Sequence, residues 1–400
     1  MNARVVRLKD LCSLITKGTT PTSIGFDFSD DGVGFLRVQN VSGGSVNFKN
    51  GTLFITENVH QELRRSQILP GDILLSIAGT IGRTGVVPEN APALNCNQAL
   101  AIVRPEDKVF RPFLRHWLES ANAQSQMRGA TVTGTIQNLS LAQVGGLQVP
   151  LPPLPEQRRI AAILDQADAL RAKRREALAQ LDSLTQSIFI EMFGDPATNP
   201  KAWPRLTLNE LMDENGPQNG LYKPSTDYGT GTPILRIDAF YDGVVTKLAT
   251  LKRVRLSASE LSLYGLRTED IVINRVNSIE YLGKSALIPK LHEHTVFESN
   301  MMRFTVRRDV VEPGYVVQFL QTKFIKSQIM SCSKNAVNQS SINQQDVKTF
   351  QVNVPPLKLQ QTFATRVQAI ELLKAIQCTA LTELDTLFVS LQHRAFRGEL

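Results

Sequence analysis

The chain has 400 residues, of which 42% are hydrophobic and 20% are charged, so it can bury a sizeable core in two or three domains. An excess of 44 Lys and Arg over 37 Asp and Glu gives a net charge of +7, which favours a polyanionic partner. No run of roughly eighteen apolar residues is present, and Lys9 and Asp10 interrupt the first apolar stretch. These features exclude a membrane span and a signal peptide and predict a cytoplasmic protein.

Cysteine and histidine spacing indicates neither a disulfide framework nor a metal site. The cysteines stand alone, without a CxxC pair or a nearby His at ligand spacing: Cys12, Cys96, Cys332 and Cys378. Such spacing is typical of reduced thiols in a cytosolic protein. His292 and His294 form the only close histidine pair. The sequence therefore predicts no metal and no disulfide.

The sequence of residues 1–152 predicts a module of short strands with one helical stretch. The strand-like runs are "GFLRVQNV", "DILLSIAG" and "ALAIVRP", each bounded by turn residues. A helix is predicted in "RPFLRHWLESANAQSQMRG". The module is therefore α+β, with polar loops of the kind that usually carry binding residues.

Residues 153–195 predict a long helix. Its apolar positions recur at spacings of three and four with one interruption near Arg174, as in a coiled-coil seam: Ile160, Leu164, Ala167, Leu170, Leu178, Leu181, Leu184 and Ile188. Pro155 suits the first helical turn, while Gly194 and Pro196 end the helix. At about 1.5 Å per residue the helix would be roughly 55 Å long, so we expect it to act as a spacer.

Residues 196–354 and 355–400 repeat this order of module and helix. An offset of 203 superimposes the helices, placing Pro153 on Pro356, Gln157 on Gln360, Asp182 on Asp385 and Phe193 on Phe396. The modules match more weakly, with "FLRV" on "ILRI", "PGDILLS" on "TEDIVIN" and "GRTGVVP" on "GKSALIP". The second helix carries the same seam, in Phe363, Val367, Ile370, Leu373, Leu381, Leu384, Leu387 and Leu391.

This repetition predicts an α+β fold in which two modules are joined by two long helices. The helices would form an antiparallel coiled coil within the chain, with the modules related by a pseudo-two-fold axis. For a single helix, an ordinary buried helix pair or a homodimeric coiled coil would be the better interpretation. The repeat changes that preference.

The basic excess lies in the modules, which have net charges of +3 and +4, whereas the helices have −1 and +1. Arg, Lys, Asn, Gln and Thr in their loops are the residue types that contact DNA bases and phosphates. In the first module the candidates are Lys17, Thr19, Thr20, Arg37, Gln39, Asn40, Arg83, Arg128, Thr131, Gln137 and Asn138. In the second they are Lys223, Arg236, Arg275, Asn277, Lys284, Lys334, Asn335, Ser340 and Asn343. The alternative for each is an ordinary turn residue.

Motifs for catalysis on nucleic acid are missing from the sequence. "GKS" at 283–285 resembles the end of a P-loop, but Ser278 stands where the first glycine is required. "VPPL" and "LPPL" lack the amide and the aromatic ring of a tetrad that clamps a flipped adenine. "GTIGRTG" has the wrong spacing for a dinucleotide fingerprint. We therefore expect no catalytic residues and no cofactor in this chain.

The whole chain resembles the specificity subunit of type I restriction-modification systems. The resemblance rests on "VPLPPLPEQRRIAAILDQADAL", on the succession "ITKGTTP", "GFLRVQNV", "LPGDILLSIAGTIGRTGVV", on "GATVTGTIQNLSLAQVGGLQVPLPPL" and on the two-fold repetition. It implies two target recognition domains, each of which reads one half of a bipartite asymmetric site in double-stranded DNA. The helices would set the gap between the half-sites.

The resemblance also implies partners. Two modification subunits would bind this chain and methylate adenine N6 with S-adenosylmethionine, and restriction subunits that use ATP and Mg²⁺ would join them. The residues expected to contact the modification subunits lie at the helix starts: Glu156, Gln157, Arg158, Arg159, Gln360 and Gln361. The second helix start, "LKLQQTF", lacks the glutamate and both arginines of "LPEQRRI", so the two ends are expected to bind unequally.

Two other functions are open at this point. A protein-interaction scaffold with an incidental basic excess would show neither steep salt dependence nor sequence preference on duplex DNA. A self-sufficient DNA methyltransferase is opposed by the missing tetrad. It would be excluded if the chain alone transferred no methyl group.

Overall fold

The chain passes twice through the same order of elements, a β-rich module followed by a long helix. The structure is a computed structural model that describes residues 4–49, 51–130, 138–214, 216–336 and 339–400. The contacts divide the chain into unit 1, Met1–Glu176 with Cys378–Leu400, and unit 2, Ala177–Gln377. Each unit therefore contains one module and a segment of each long helix.

The strands of unit 1 are β1 (Arg4–Arg7), β2 (Cys12–Lys17), β3 (Val33–Leu36), β4 (Val41–Ser42), β5 (Gly44–Val46), β6 (Leu53–Ile55), β7 (Gln67–Ile68), β8 (Ile73–Ser76), β9 (Thr84–Val86), β10 (Leu94–Cys96), β11 (Leu100–Pro105) and β12 (Gln148–Leu151). Its short helices are α1 (Glu57–Glu62), α2 (Arg111–Leu118), α3 (Ala121–Ala130) and α4 (Leu141–Gly146). Short 3₁₀ turns cover Leu8–Leu11, Pro21–Ile24, Val38–Asn40 and Arg64–Ser66. The first long helix, α5 (Leu154–Phe193), follows and passes into unit 2.

The strands of unit 2 are β13 (Arg205–Thr207), β14 (Gln218–Asn219), β15 (Tyr228–Leu235), β16 (Phe240–Tyr241), β17 (Gly243–Val245), β18 (Lys252–Val254), β19 (Ile271–Asn274), β20 (Val276–Asn277), β21 (Ser285–Leu287), β22 (Val296–Phe297), β23 (Met301–Phe304), β24 (Lys334–Ala336), β25 (Gln339–Ser341) and β26 (Gln351–Asn353). Its short helices are α6 (Leu208–Leu211), α7 (Ala258–Tyr264), α8 (Pro313–Leu320), α9 (Lys323–Cys332) and α10 (Gln344–Thr349). 3₁₀ turns cover Ser225–Asp227 and Leu248–Thr250. The second long helix, α11 (Leu357–Ala395), returns into unit 1.

The main sheets of the two units have the same strand order. Unit 1 has β2-β11-β8-β9-β5-β4 and unit 2 has β14-β23-β19-β21-β17-β16, so every strand of one main sheet has a counterpart in the other. The matched strings "DILLS" and "DIVIN" contain β8 and β19, which are fully buried because each strand lies between two neighbours. In each unit a first strand pairs antiparallel with the strand before the long helix, as β1–β12 and β13–β26.

A smaller sheet in each unit contains one parallel pair of strands. In unit 1 the order is β6-β3-β10-β7, and in unit 2 it is β18-β15-β22. The parallel pairs are β3–β10 and β15–β22. The weak sequence similarity between the two modules therefore corresponds to a shared strand topology.

The long helices run antiparallel within each unit. In unit 1, Arg159 Nη2 donates to the Leu400 carbonyl at 2.7 Å, and Arg175 Nη2 lies 3.1 Å from Asp385 Oδ1, so one helix advances while the other returns. Unit 2 shows the same direction, because Lys374 pairs with Asp182 at 3.0 Å while Arg366 lies 3.9 Å from Met192 Sδ. The predicted antiparallel pairing within the chain is thus confirmed.

The predicted seam is wrong at four leucines. Leu170, Leu184, Leu373 and Leu387 are 40% to 49% exposed and lie on the outer face of the helix pair. The buried residues further along each helix include Thr185, Phe189, Phe388 and Gln392. The buried stripe therefore lies on a different face of each helix from the predicted one. The spacing of apolar residues did not reveal this, because two of the four buried side chains, Thr185 and Gln392, are polar.

Within the described ranges, no helix is long and apolar enough to cross a membrane. In the same part of the chain, no three His, Cys, Asp or Glu side chains are grouped so that they could hold a metal ion.

Candidate nucleic-acid interface

The carboxyl ends of the parallel pair in unit 1 carry two polar residues side by side. Arg37 follows β3 directly and Asn97 follows β10. The Asn97 N–H donates to the Leu36 carbonyl at 3.1 Å, which holds the two chain segments together beyond the sheet. We call this place the carboxyl edge of unit 1.

Unit 2 builds the same edge from the counterpart strands. Arg236 follows β15, Glu298 follows β22, and the Glu298 N–H donates to the Leu235 carbonyl at 3.0 Å. An arginine is therefore common to both edges, whereas its neighbour changes from an amide to a carboxylate. We call this place the carboxyl edge of unit 2.

A glycine brings a polar loop against each edge. A Cβ on Gly18 would lie 2.0 Å from the Cys96 carbonyl oxygen, and one on Gly220 would lie 2.1 Å from that of Glu298. Only glycine permits such close approach of two backbones. The Thr19 N–H donates to the Cys96 carbonyl at 3.1 Å, so the predicted loop "KGTT" does lie at the edge.

Polar atoms at both edges are buried without a hydrogen-bond partner. They include the Nε atoms of Arg37 and Arg236 and the Oδ1 atom of Asn97. In unit 2 the Glu298 carboxylate accepts the Ile237 N–H at 2.7 Å and lies 3.8 Å from Arg236 Nη1. Burial raises the pKa of Glu298. Each edge thus holds buried polar atoms that lack a partner within the chain.

The edge of unit 2 opens into a cleft of 530 Å³. Its lining combines basic, aromatic and amide side chains: Leu221, Tyr222, Lys223, Ser225, Tyr228, Arg236, Lys252, Glu298, Ser299 and Asn300. Tyr222 is 77% exposed, so its ring is accessible for stacking on a base. The predicted residues Lys223 and Arg236 are brought together here.

Lys223 is already paired with carboxylates. Its Nζ lies 2.8 Å from Glu260 Oε1 and 3.6 Å from Asp227 Oδ2. The hydrogen bond from Lys223, followed by that from the Ser257 backbone, lowers the pKa of Glu260 to about 2. Lys223 therefore shapes the wall of the cleft and adds no uncompensated positive charge to it.

A second group of predicted residues lies beside the main sheet of unit 2. Arg275 Nη1 donates to the Ser299 carbonyl at 3.0 Å, which joins this residue to the edge. Asn277 lies in β20 and pairs with the buried Ser340 in β25. Lys334 and Asn335 lie in β24 of the same hairpin, where Lys334 is exposed. The side chain of Asn335 lies outside the described residues.

Two of the predicted base readers have structural positions instead. The Asn343 side chain caps α10 by accepting the N–H groups of Gln345 and Asp346 at 2.8 and 3.0 Å. Asn40 is buried, accepts the Arg37 N–H at 2.9 Å and donates to the Asn47 carbonyl at 3.0 Å. Both amides hold their own loops, so direct base contact is not favoured for either.

Lys284 is enclosed by aromatic rings. Its Nζ lies 3.9 Å from the Tyr241 ring centroid and 5.6 Å from that of Tyr281, and it donates to the Ile237 carbonyl at 2.6 Å. Burial lowers the pKa of Lys284. Its counterpart Arg83 is exposed in unit 1. The two predicted residues thus occupy equivalent places with different accessibility.

The remaining predictions in unit 1 fall into three places. The exposed Lys17 and Asn138 line one cleft of 440 Å³, while Thr20 donates to Gln98 next to the carboxyl edge. Gln39 and Arg128 are exposed. Thr131 and Gln137 lie outside the described residues.

Comparison with known proteins decides the family. The family described as type I restriction modification DNA specificity domain matches residues 2–180 and 200–385. The chain belongs to this family. It is 26% identical over 394 residues to the EcoKI specificity subunit of Escherichia coli K12, covering 93% of this chain and 83% of the relative. The StySPI specificity subunit of Salmonella potsdam is 23% identical with the same coverage.

Solved structures support the fold. The S subunit from M. genitalium aligns with a TM-score of 0.58 at 15% identity, over 99% of this chain and 96% of that one. A chain from a study of complex assembly in the type I R-M system aligns with a TM-score of 0.57 at 19% identity, over 100% and 98%. The two-module, two-helix architecture predicted from the sequence is therefore that of solved specificity subunits.

Two residues predicted to bind the partners of this specificity chain are buried. Gln157 and Gln360, which the repeat superimposes, are 1% and 0% exposed. Gln157 Oε1 accepts the Phe110 N–H at 2.8 Å, and Gln360 Oε1 accepts the Glu312 N–H at 2.9 Å. Each glutamine thus ties the start of a long helix to the start of a short one, so these two predictions are corrected to structural roles.

The other predicted partner-binding residues lie at the surface. Glu156 and Arg159 pair at 2.7 Å, while Arg158 is exposed and lies over the Phe110 ring at 5.4 Å. Gln361 is exposed on α11. These four remain available to a partner of the specificity chain.

Sequence reasoning missed Asn97 and Glu298, although both immediately follow short apolar runs. Their position at the end of a strand is the one sequence feature that could have marked them. The arginine beside each of them, however, lies about sixty residues earlier in the chain. The parallel pairing that joins them to Arg37 and Arg236 is visible only in the structure.

Proposed function

We propose that this chain selects the DNA site of a type I restriction-modification complex. Each unit would read one half of a bipartite asymmetric site, using its carboxyl edge and the polar loops beside it. The observation that carries the proposal is the edge built twice, with an arginine common to both units and a neighbour that differs. The net charges of +3 and +4 in the modules support contact with phosphates.

In this proposal the long helices set the distance between the half-sites and bind two modification subunits. Exposed leucines at equivalent positions of both helices supply apolar surface for such binding, as Leu170 and Leu387 do in unit 1. The modification subunits would hold S-adenosylmethionine and methylate adenine N6. Restriction subunits with ATP and Mg²⁺ would join them in the cytoplasm. No catalysis is assigned to this chain.

A genome-wide N6-methyladenine map tests the proposal. Cells would express this chain with its modification subunit, and control cells would express the modification subunit alone. We expect a new split motif that disappears in the control. If methylation does not depend on the chain while the modification subunit is active with another specificity subunit, the proposal is wrong.

Binding to duplex DNA separates this function from a protein scaffold. We expect the affinity of the complex to fall steeply with salt, because each phosphate contact releases counterions. A residual preference for the split motif should persist at higher salt. A scaffold would show neither property, and methyl transfer by the chain alone would instead indicate a self-sufficient methyltransferase.

A further inference from the structure

The two units differ where the short helix after each main sheet packs on the long helices. In unit 2 this place is a cleft of 660 Å³, which is within the usual range of ligand sites, roughly 300 to 1,000 Å³. We call it the helix cleft. Its charged lining residues are Asp182, Asp195, Asp242, Lys323, Glu371 and Lys374. Lys374 already pairs with Asp182 and Glu371, and the remaining excess of two carboxylates over ammonium groups favours a cation.

In unit 1 the equivalent place is filled by this chain's own side chains. Arg115 on α2 is 7% exposed, and its guanidinium lies 3.1 Å from Asp165 and 3.3 Å from Asp168. Phe388 on α11 is also 7% exposed, and Arg171 lies over its ring at 4.3 Å. An arginine and an aromatic ring thus complete the packing against the helix carboxylates.

The short helices α2 and α8 are in the same register, so their residues correspond one to one. Each begins after a residue whose N–H is bound by the glutamine of a long helix, Phe110 by Gln157 and Glu312 by Gln360. Arg115 is the fifth residue of α2, and the fifth residue of α8 is a valine. The short helix of unit 2 therefore carries no cation at the position from which Arg115 reaches the helix carboxylates in unit 1.

The aromatic ring is also missing from unit 2. The offset of 203 places Thr185 where unit 1 has Phe388, and Glu371 where it has Asp168. Thr185 lines the helix cleft, is only 8% exposed, and its Oγ1 is buried without a hydrogen-bond partner. Of the two helix carboxylates that Arg115 binds in unit 1, the one at Asp168 is retained as Glu371, whereas Gln368 stands at the position of Asp165. The arginine and the ring that fill the space in unit 1 are replaced by smaller side chains.

We propose that the helix cleft binds an arginine side chain of a partner protein, whose guanidinium occupies the place that Arg115 holds in unit 1. A guanidinium fits better than an ammonium, because its planar fork can donate both to Thr185 Oγ1 and to the Glu371 carboxylate, which also accepts from Lys374 at 2.9 Å. Phe189 and Phe324 also line the helix cleft, and Arg205 already lies over the Phe324 ring at 5.0 Å. Nucleic acid is not the ligand, because the excess of carboxylates repels phosphates.

Titration with a capped arginine, N-acetylarginine amide, tests the proposal on the full chain. The methyl signal of Ile190, which lines the helix cleft, would report binding by NMR. We expect a saturable shift, and no saturable shift with the neutral isostere N-acetylcitrulline amide. Thr185→Phe, which restores the ring of unit 1, and Glu371→Gln should each weaken binding about tenfold or more.

The matched control is Ser187→Phe, because Ser187 is exposed on the same helix and does not line the helix cleft. It should leave the titration unchanged. The proposal is overturned if capped arginine gives no saturable shift. The proposal is also overturned if capped citrulline binds as tightly as capped arginine. The same holds if capped arginine binds the Thr185→Phe chain as tightly as the wild type. This test uses no DNA and no modification subunit, so its outcome is independent of the proposed function.

Discussion

The two units share one ion-paired set of three residues between their long helices but surround it differently. In unit 1, Arg171 joins Asp168 of its own helix at 2.6 Å to Asp385 of the other at 2.5 Å. In unit 2, Lys374 joins Glu371 at 2.9 Å to Asp182 at 3.0 Å, and all three positions agree with the offset of 203. The ion pairs that fix the helix register are thus retained.

The two units differ in the space between the long helices and the short helix of each module. Unit 1 closes the space with Arg115, His116 and Phe388, whereas unit 2 leaves the helix cleft. The carboxyl edges follow the same rule, because their arginines agree and the neighbours Asn97 and Glu298 differ. The repeat thus preserves the ion-paired frame of the long helices and varies the side chains around the helix cleft and at the carboxyl edges.

Replacing Arg115 by the valine of unit 2 should have the largest effect on stability. Arg115→Val removes the nearly buried cation that binds Glu119, Asp165 and Asp168, and leaves these carboxylates only their contacts with Thr84, His116 and Arg171. We expect a loss of about 3 kcal/mol, at the lower end for a broken buried pair because Asp165 is half exposed. Hydrogen exchange should show the loss in unit 1 alone. Arg111→Val, which breaks an exposed pair with Glu89 on the same helix, should cost less than about 1 kcal/mol. Equal effects would contradict the assigned packing.

The two buried glutamines should be equivalent. Gln157→Ala and Gln360→Ala each leave a helix-start N–H and a proline carbonyl without their partner, at a cost of about 2 kcal/mol. Hydrogen exchange should rise in unit 1 for the first variant and in unit 2 for the second. Gln361→Ala, at an exposed site, is the control and should be neutral. If Gln157→Ala leaves the stability unchanged, the structural role of Gln157 is wrong and its predicted role in partner binding is favoured again.

Acid should destabilise unit 1 through His116. Burial, followed by the charge of Arg115, lowers the pKa of His116 to about 4. Because the unfolded histidine binds a proton near pH 6.5 and the folded one does not, stability falls as pH falls from about 6.5 towards 4. The loss is roughly 1.5 kcal/mol by pH 5.5. His116→Gln, the residue of unit 2, should remove this dependence in unfolding experiments at pH 7.5 and 5.5, and an unchanged dependence would refute it.

Exchanging Arg171 for Lys and Lys374 for Arg should have the smallest effects on stability. The effect of the first exchange should be larger than that of the second. Arg171→Lys loses the contact with the Phe388 ring and should cost about 1 kcal/mol. Lys374→Arg has Thr185 at the equivalent place, so we expect a change within about 0.5 kcal/mol. Urea unfolding monitored separately in each unit by hydrogen exchange would measure both. A larger cost for Lys374→Arg would contradict the equivalence of the two frames.

The helices, the repeat and the strands were predictable because they depend on local periodicity and on internal similarity. The role of Gln157 and Gln360 was not, since a repeated polar residue at a helix start looks the same whether it faces a partner or its own module. Asn343 was predictable in principle, because Asp346 three residues later completes a capping box. The aromatic surroundings of Lys284 come from strands distant in sequence, which no local pattern reveals.

The carboxyl edges are the central claim, and separate methylation maps of Arg37→Ala and Arg236→Ala test it most directly. Both chains would be co-expressed with the modification subunit and compared with the wild type. We expect each substitution to relax one half of the split motif, a different half in each variant, by about 1 to 3 kcal/mol of discrimination at the affected base pair. Relaxation of the same half by both variants, or an unchanged motif in both, would contradict the account.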